Sequence, residues 1–172
     1  MATAQLRPPA HRIGRSAIVM WTLEGLLGAG VLVGLGALLA WLLSAWQPAW
    51  LPDVLATRIW WLPWAGLLLG LPGVLIEPTG RYLVHRWEVT PETVYTVSGV
   101  FEREWRLVPI SRIQTVDTTR GLMERMLGLA TLRIRTASHA GSSDIPGLPA
   151  QTAAGLAHTL AVQAASLRDD AT

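Results

Sequence analysis

The chain has 172 residues and no cysteine. Disulfides, thiolate nucleophiles and cysteine metal ligands are therefore excluded, and the redox compartment leaves no signature. Lysine is also missing, so all 14 cationic side chains are arginine. The sequence pI of 9.9 reflects the high pKa of arginine more than an excess of positive charge, because the formal net charge is only +2. Charge is scarce altogether, at 15% of residues, against about a quarter in an average soluble domain. From residue 79 onward ten arginines face nine acids. That balance leaves no basic stripe of the kind nucleic-acid binders carry, and no nucleic-acid partner is expected.

The shortage of charge is concentrated. Between residues 18 and 76 the ionisable side chains are Glu24, Asp53 and Arg58 alone. Within this segment, "IVMWTLEGLLGAGVLVGLGALLAWLL" (residues 18–43) extends about 39 Å as a helix, and "IWWLPWAGLLLGLPGVLI" (residues 59–76) about 27 Å. Each meets the roughly 30 Å hydrocarbon core of a bilayer, with tilt absorbing the excess of the first. Pro63 falls in the first turns of the second span, where proline is tolerated, and Pro72 is expected to kink it. Gly30, Gly34 and Gly36 include a small-xxx-small pair suited to close helix packing. Glu24 reads as an interfacial residue near the start of the first span.

Seven of the nine tryptophans lie between residues 21 and 64. Trp41, Trp46 and Trp50 close the first span and Trp60, Trp61 and Trp64 open the second, which places an aromatic belt at one membrane face. Arg7, Arg12 and Arg15 precede the hairpin and Arg81 and Arg86 follow it, whereas the connecting loop holds Arg58 offset by Asp53. The arginine bias predicts a multi-pass membrane protein with both termini cytoplasmic, and the absence of lysine points to a bacterial genome rich in G and C, hence to a bacterial cell (inner) membrane. A cleaved signal peptide fits less well, since the first run is too long and a second follows directly.

Beyond Pro78-Thr79-Gly80 the period changes to two. "RYLVHRWEVT" alternates, with Leu83, His85, Trp87 and Val89 on one face, and predicts a strand. "VYTVSGVFEREWRLVPI" predicts two strands around Ser98-Gly99, with Arg103, Trp105 and Leu107 alternating against Glu102, Glu104 and Arg106. "IQTVDT" is another strand, "LATLRIRTAS" a further one with Leu132 and Ile134 inward and Arg133 and Arg135 outward, and "DIPGL" a short last one. From Pro149 helical spacing returns, with Ala153, Leu156, Ala157, Leu160, Ala164 and Leu167 on one stripe. The expected fold class is α+β. A cytoplasmic tail (residues 1–16) leads to a two-helix transmembrane hairpin (17–77), a domain of antiparallel strands closed by a C-terminal helix (78–168), and a disordered end (169–172).

The run "YLVHRWEVTPETVYTVSGVFEREWRLVPISRIQTVDTTRGLMERMLGLATLRIRT", followed by "DIPGLP", resembles bacterial pleckstrin-homology (PH) domains of the membrane-flanked, YdbS-like kind. The likeness covers roughly residues 78 to 168. Its most diagnostic pieces are "VPISRIQTVD", "MERMLGLATLRI" and the late "IPGLP", and two upstream spans are usual in that family. The resemblance implies a PH-like barrel or sandwich, a curved antiparallel sheet plugged by the C-terminal helix. In that fold Arg112, Ile113, Gln114, Val116, Asp117, Leu127, Gly128 and Leu132 form the framework motif. Ile113 and Val116 are expected in the core, Gln114 on buried backbone, and Asp117 as cap of the following turn. Leu122, Met126 and Leu127 are expected on the apolar side of a short helix, Glu124 and Arg125 in water, and Gly128 in the left-handed position.

No catalytic constellation stands out. Asp117 and Glu124 lack a nucleophile or histidine beside them, and His11, His85, His139 and His158 lack metal-ligand spacing. No GxSxG elbow, Walker loop or dinucleotide loop occurs. The chain reads as a non-enzyme without cofactor or metal. Eukaryotic PH domains bind phosphoinositides through basic residues around the first strand–strand loop. Here that loop is "TPET", without a cation. Arg81, Arg86, Arg133 and Arg135 remain as candidate contacts to anionic lipid headgroups, each worth about 1 kcal/mol near the surface. The competing reading makes them solvated strand faces. The resemblance implies roles in envelope stress or antimicrobial-peptide resistance but assigns no reaction. The leading expectation is a scaffold or adaptor for envelope proteins, with membrane proteins, self-association and lipid as partners. A sensor of anionic inner-leaflet lipid is the alternative.

Overall fold

The computed structural model describes residues 7–46, 52–100, 102–137 and 141–169. The described chain forms two compact units. One comprises the residues up to Met20 together with those from Gly80 onward, and the other comprises Trp21–Thr79.

The second unit is helical. Helix α1 spans Ser16–Trp46, α2 Asp53–Ala56, α3 Leu62–Leu75 and α4 Glu77–Val84, with a 3₁₀ turn at Ile59–Trp61. Two stretches, Ser16–Trp46 and Ile59–Val84, are long and apolar enough to cross a membrane. Their side chains agree with lipid contact, since Leu26, Leu27, Val31, Leu35, Leu68 and Leu69 are all exposed. Pro63 sits where the amide of a first helical turn has no partner to lose. Pro72 lies inside α3, which stops at Leu75 before the chain resumes as α4.

The two long helices meet through small residues, but not through the pair expected. A β-carbon on Gly66 would stand 2.7 Å from the Leu32 carbonyl oxygen, one on Gly70 2.6 Å from the Ala29 β-carbon, and one on Gly36 2.7 Å from the Leu62 carbonyl oxygen. Gly25 lies against Gly73 in the same manner. The contact stripe on α1 thus runs through Gly25, Ala29, Leu32 and Gly36. Gly30 and Gly34 have nothing within 4 Å of a built β-carbon. Gly36 is therefore the single member of the expected trio at the contact, because Gly30 and Gly34 occupy a different helix face.

The other unit holds two antiparallel sheets and not a closed barrel. The first has the order β1 (His11–Arg12), β2 (Arg86–Val89), β3 (Thr93–Ser98), β4 (Glu104–Pro109). The second has the order β5 (Ile113–Thr119), β6 (Leu129–Thr136), β7 (Ser143–Pro149). A short helix α5 (Leu122–Met126) joins β5 to β6, and the final helix α6 (Ala150–Asp169) packs on β5, β6, β7 and the 3₁₀ turn at Ile110–Arg112. Val94, Val108, Ile110, Leu129, Leu132, Ile134, Leu148 and Leu160 form the fully buried core, each contributing about 1.5–3 kcal/mol of burial. Ala153, Leu160 and Ala164 carry the apolar stripe of α6, while Leu167 at its end is exposed.

Two elements depart from the sequence reading. Arg81–Val84 belong to α4, not to a strand: the amide of His85 still donates to the Arg81 carbonyl at 2.8 Å, and pairing begins at Arg86. Leu83, expected on one strand face with His85, Trp87 and Val89, is exposed on α4. The N-terminal segment, expected to be a plain tail, supplies β1. His11 pairs with Trp87 and Arg12 with Arg86, the His11 ring stacks on the Trp87 indole at 4.8 Å, and Trp87 Nε1 donates to the Arg12 carbonyl at 3.3 Å. The Gly14 amide donates to the Gly147 carbonyl at 2.9 Å, tying the same segment to β7. Gly147 holds φ +72°, where a β-carbon would also strike Ala17, so this seam suits glycine on two counts. Asp169 ends α6, and residues 170–172 lie outside the described chain.

Candidate functional site

The strand–helix–strand connection around α5 is where the sequence concentrated its charge. Ile113 is buried at the start of β5 and Leu132 is buried at its partner strand. Gln114 is exposed at a register shift between Ile113 and Thr115, so it does not satisfy buried backbone. Val116 is half-buried opposite Ile134. Asp117 lies mid-strand opposite Arg133 and is exposed, two residues before β5 ends, so it caps no turn. That task falls to Glu124, whose Oε2 accepts from the Gly121 amide at 2.7 Å and whose Oε1 accepts from Thr131 Oγ1 at 2.6 Å. Arg120 Nε donates to the Leu129 carbonyl at 3.1 Å and Arg125 Nε to the Arg120 carbonyl at 3.3 Å. Gly128 takes φ +67° to return the chain to β6, and Leu127 is half-buried. Arg112 is exposed.

With Glu124 turned in, the helix turns its apolar residues out. Leu122 is 77% and Met126 79% exposed. They stand four residues apart, on one side of a helix. The expected apolar side of the helix is exposed at Leu122 and Met126, and Glu124, expected in water, is half-buried: α5 is too short to bury a stripe, and the carboxylate takes the inner position by holding an otherwise unpaired amide. Beside this tip, β5 is an edge strand, with β6 its partner among the described strands.

The four arginines considered for lipid contact do not converge. Arg133 Nε stands 3.9 Å and Arg135 Nη1 3.4 Å from the Asp144 carboxylate. These groups are almost half exposed, so each pair contributes about 0–1 kcal/mol, but together they cancel part of the local positive charge. Arg81 belongs to α4, and its carbonyl accepts from His85. Arg86 lines a cavity of about 220 Å³, with Arg103, Trp105, Val97, Leu83 and Val84 and the Pro8-Pro9 segment. Arg103 and Trp105 were visible in the sequence only as alternating strand residues, and their convergence on Arg86 needs the pairing of β2, β3 and β4.

A second cavity of about 290 Å³ is polar. It is lined by His85, Ser98, Glu104, Arg106 and the β6–β7 residues Arg135 and Asp144, with Ser142 and Ser143 behind. Its charges are largely matched internally. Arg106 donates from Nε to Glu104 at 2.8 Å and from Nη1 to the Ser142 carbonyl at 2.8 Å. Burial lowers the pKa of His85, opposed by its hydrogen bond to the Arg81 carbonyl and reinforced by the Arg81 charge. Thr96 and Ser143, both buried, share a hydrogen bond of 2.9 Å between their hydroxyls, which joins the two sheets.

The loop between β2 and β3 is closed on itself: Thr90 Oγ1 donates to the Thr93 carbonyl at 2.9 Å and accepts from its amide at 3.1 Å. Among the described residues no group of three or more histidines and acids is placed to hold a metal. His11 stacks on Trp87, His158 is exposed on α6 and His139 lies outside the described residues. Trp41, Trp46, Trp60, Trp61 and Trp64 are all exposed, as an interfacial belt requires, and Trp50 lies outside the described residues. Glu24 is exposed on α1.

Comparison with known proteins agrees with this architecture. The profile of the family described as Bacterial PH domain matches residues 18–164. The chain is 29% identical over 163 residues to the UPF0699 transmembrane protein YdbS of Bacillus subtilis (strain 168), covering 94% of this chain and 97% of that one. No solved structure matches. The profile takes in both apolar helices as well as the sheets, so the likeness seen in the sequence extends upstream of residue 78. The chain belongs to the bacterial PH domain family and is a membrane protein.

Proposed function

We propose that this protein is a non-enzymatic scaffold or adaptor that holds its PH-like unit at the cytoplasmic face of the bacterial inner membrane and docks other envelope proteins there. One observation carries the reading: Leu122 and Met126 project into solvent from a tip whose inner side is fastened by Glu124 and Arg120. A rigid tip bearing two exposed apolar side chains beside an edge strand suits a protein partner, which covers the side chains and adds main-chain hydrogen bonds. The two-span topology with both termini on one side is supported by β1, because His11 and Arg12, before the first span, pair with Trp87 and Arg86, after the second. The cytoplasmic side is supported by the arginine bias. Photo-crosslinking from positions 122 and 126 in native membranes tests the docking role. Discrete protein adducts that vanish in Leu122→Glu/Met126→Glu are expected. A folded protein that yields no adduct from either position refutes it.

The second reading, a sensor of anionic inner-leaflet lipid, is favoured by Arg86 and Arg103, which have no carboxylate partner among the described ion pairs. Flotation of the full chain in nanodisc-to-vesicle transfer, with and without anionic lipid, tests it. Transfer indifferent to lipid charge and to salt counts against it.

A further inference from the structure

Two cavities among the described residues of the sheet unit differ in charge. The larger carries Glu104 and Asp144 beside its arginines. The smaller has two arginines and no acid in its lining. The nearby carboxylates of the same sheet are engaged elsewhere: Glu88 accepts from the Ala10 amide at 3.0 Å and faces Arg7 at 3.8 Å, and Glu104 is bound to Arg106. Glu102, next to Arg103 in the chain, is exposed and outside the lining.

The strand register explains how the smaller cavity is built. Arg86 pairs with Val97 and Val97 with Trp105, and residues directly opposite in antiparallel strands share one face. Arg86, Val97 and Trp105 therefore form a row across three strands. Arg103 lies two residues before Trp105, just ahead of β4, and lines the same cavity. Pro8 and the fully buried Pro9 of the N-terminal segment close one wall, and Leu83 and Val84, the end of α4, form another. Leu83 and Val84 are also the last residues of Ile59–Val84, the second stretch long and apolar enough to cross a membrane. The result is a concavity with two cations at its rim, an indole and aliphatic walls. At about 220 Å³ it is smaller than the roughly 300–1,000 Å³ typical of drug-sized ligands.

We propose that this cavity seats the glycerol-phosphate portion of an anionic membrane phospholipid, with the phosphodiester held between Arg86 and Arg103. The proposal rests on the lipid-sensing reading and gives that reading a site. Guanidinium groups match phosphate oxygens in fork geometry. The Trp105 indole and the Leu83–Val84 wall suit the glycerol and the first methylenes, since indoles favour the boundary between hydrocarbon and water. Arg86 and Val97 pair at the far end of the β2–β3 hairpin from the cation-free Thr90–Thr93 turn, so the cations stand at the opposite end of these strands. Since Pro8 and Pro9 complete the wall, lipid occupancy and docking of the N-terminal strand reinforce each other.

The test uses the full chain in nanodiscs of phosphatidylcholine doped with a photoactivatable phosphatidylglycerol bearing its reactive group near the glycerol. Adducts are expected on peptides containing residues 83–86 and 103–105. Arg86→Gln and Arg103→Gln should each lower the yield about fivefold and the pair about 25-fold, from about 1 kcal/mol per arginine near an anionic surface. Arg86→Lys should retain part of it, and Arg133→Gln, already facing Asp144, should leave it unchanged. Adducts that favour phosphatidylglycerol but fall elsewhere and ignore both substitutions overturn the site while the lipid reading stands. No preference over the matched phosphatidylcholine probe overturns both. Loss of the adduct to millimolar soluble glycerophosphoglycerol overturns the lipid as the source, assigning the cavity to a free phosphodiester.

Discussion

The hydroxyl pair between Thr96 and Ser143 permits a quantitative test of what holds the two sheets together. The side chains are 6% and 2% exposed and their oxygens lie 2.9 Å apart. Removing one partner forfeits a bond worth about 1 kcal/mol and strands the other hydroxyl, whose desolvation costs about 1–3 kcal/mol. The two truncations are not equivalent. Ser143 borders the polar cavity and Thr96 does not, so in Thr96→Val a water can replace the lost partner and the cost falls near 1 kcal/mol. In Ser143→Ala the Thr96 hydroxyl has no such route, and the cost rises to about 2–3 kcal/mol. The double variant leaves no orphan and should lose less than about 1 kcal/mol. Limited proteolysis of the full protein in detergent, at protease levels where cleavage is slow relative to reclosing, reads these values, since cleavage then tracks the population of the opened domain. A double variant as unstable as the sum of the singles, or a Thr96→Val more costly than Ser143→Ala, refutes the reasoning.

The helix hairpin should respond to substitutions according to face. Gly70→Leu, placed against Ala29, should cost about 1–3 kcal/mol through overpacking, whereas Gly34→Leu, with open space around it, should stay within about 0.5 kcal/mol; SDS titration of the purified protein measures both, and equal losses refute the assigned contact. His85 gives a pH signature. Its folded-state pKa is lowered, chiefly by burial, so the unfolded chain binds the extra proton and the neutral form's stability is present above about pH 6.5 and lost as pH falls through the lowered value. His85→Gln should flatten the melting-temperature difference between about pH 8 and about pH 5.5; an unchanged slope excludes His85 as its source.

Much of the fold was legible because its signals are local. The near absence of charge between residues 18 and 76 marks the hairpin, and the alternation in Leu132–Ile134 and Val94–Thr96 marks strands whose partners lie close in sequence. What was misread depends on contacts a local pattern does not encode. "RYLV" alternates well enough to pass for strand, yet it continues a helix because α4 follows directly from the apolar run. Leu122 and Met126 mark an apolar side of α5, but five residues of helix cannot bury it, and the capping demand on Glu124 decides which side faces in. Arg133 and Arg135 look free in sequence because Asp144 arrives from another strand. β1 was invisible, since two residues hold no period.

That last strand sets an order of events during synthesis. Its partner residues Arg12 and Trp87 are separated by 75 positions. At about 5–20 residues per second, His11 and Arg12 wait about 4–15 s after emerging before β2 exists to receive them. In that interval the two apolar helices are made and, on the proposed topology, enter the bilayer. The N-terminal segment is thus a loose end during insertion and a seam afterwards, and it can close only if both ends of the hairpin lie on the same side. A chain inserted with one span too few leaves Trp87 without its His11 cover and the Pro9 wall unbuilt. On the proposed two-span topology, closure of β1 is thus possible only after both apolar helices have been inserted.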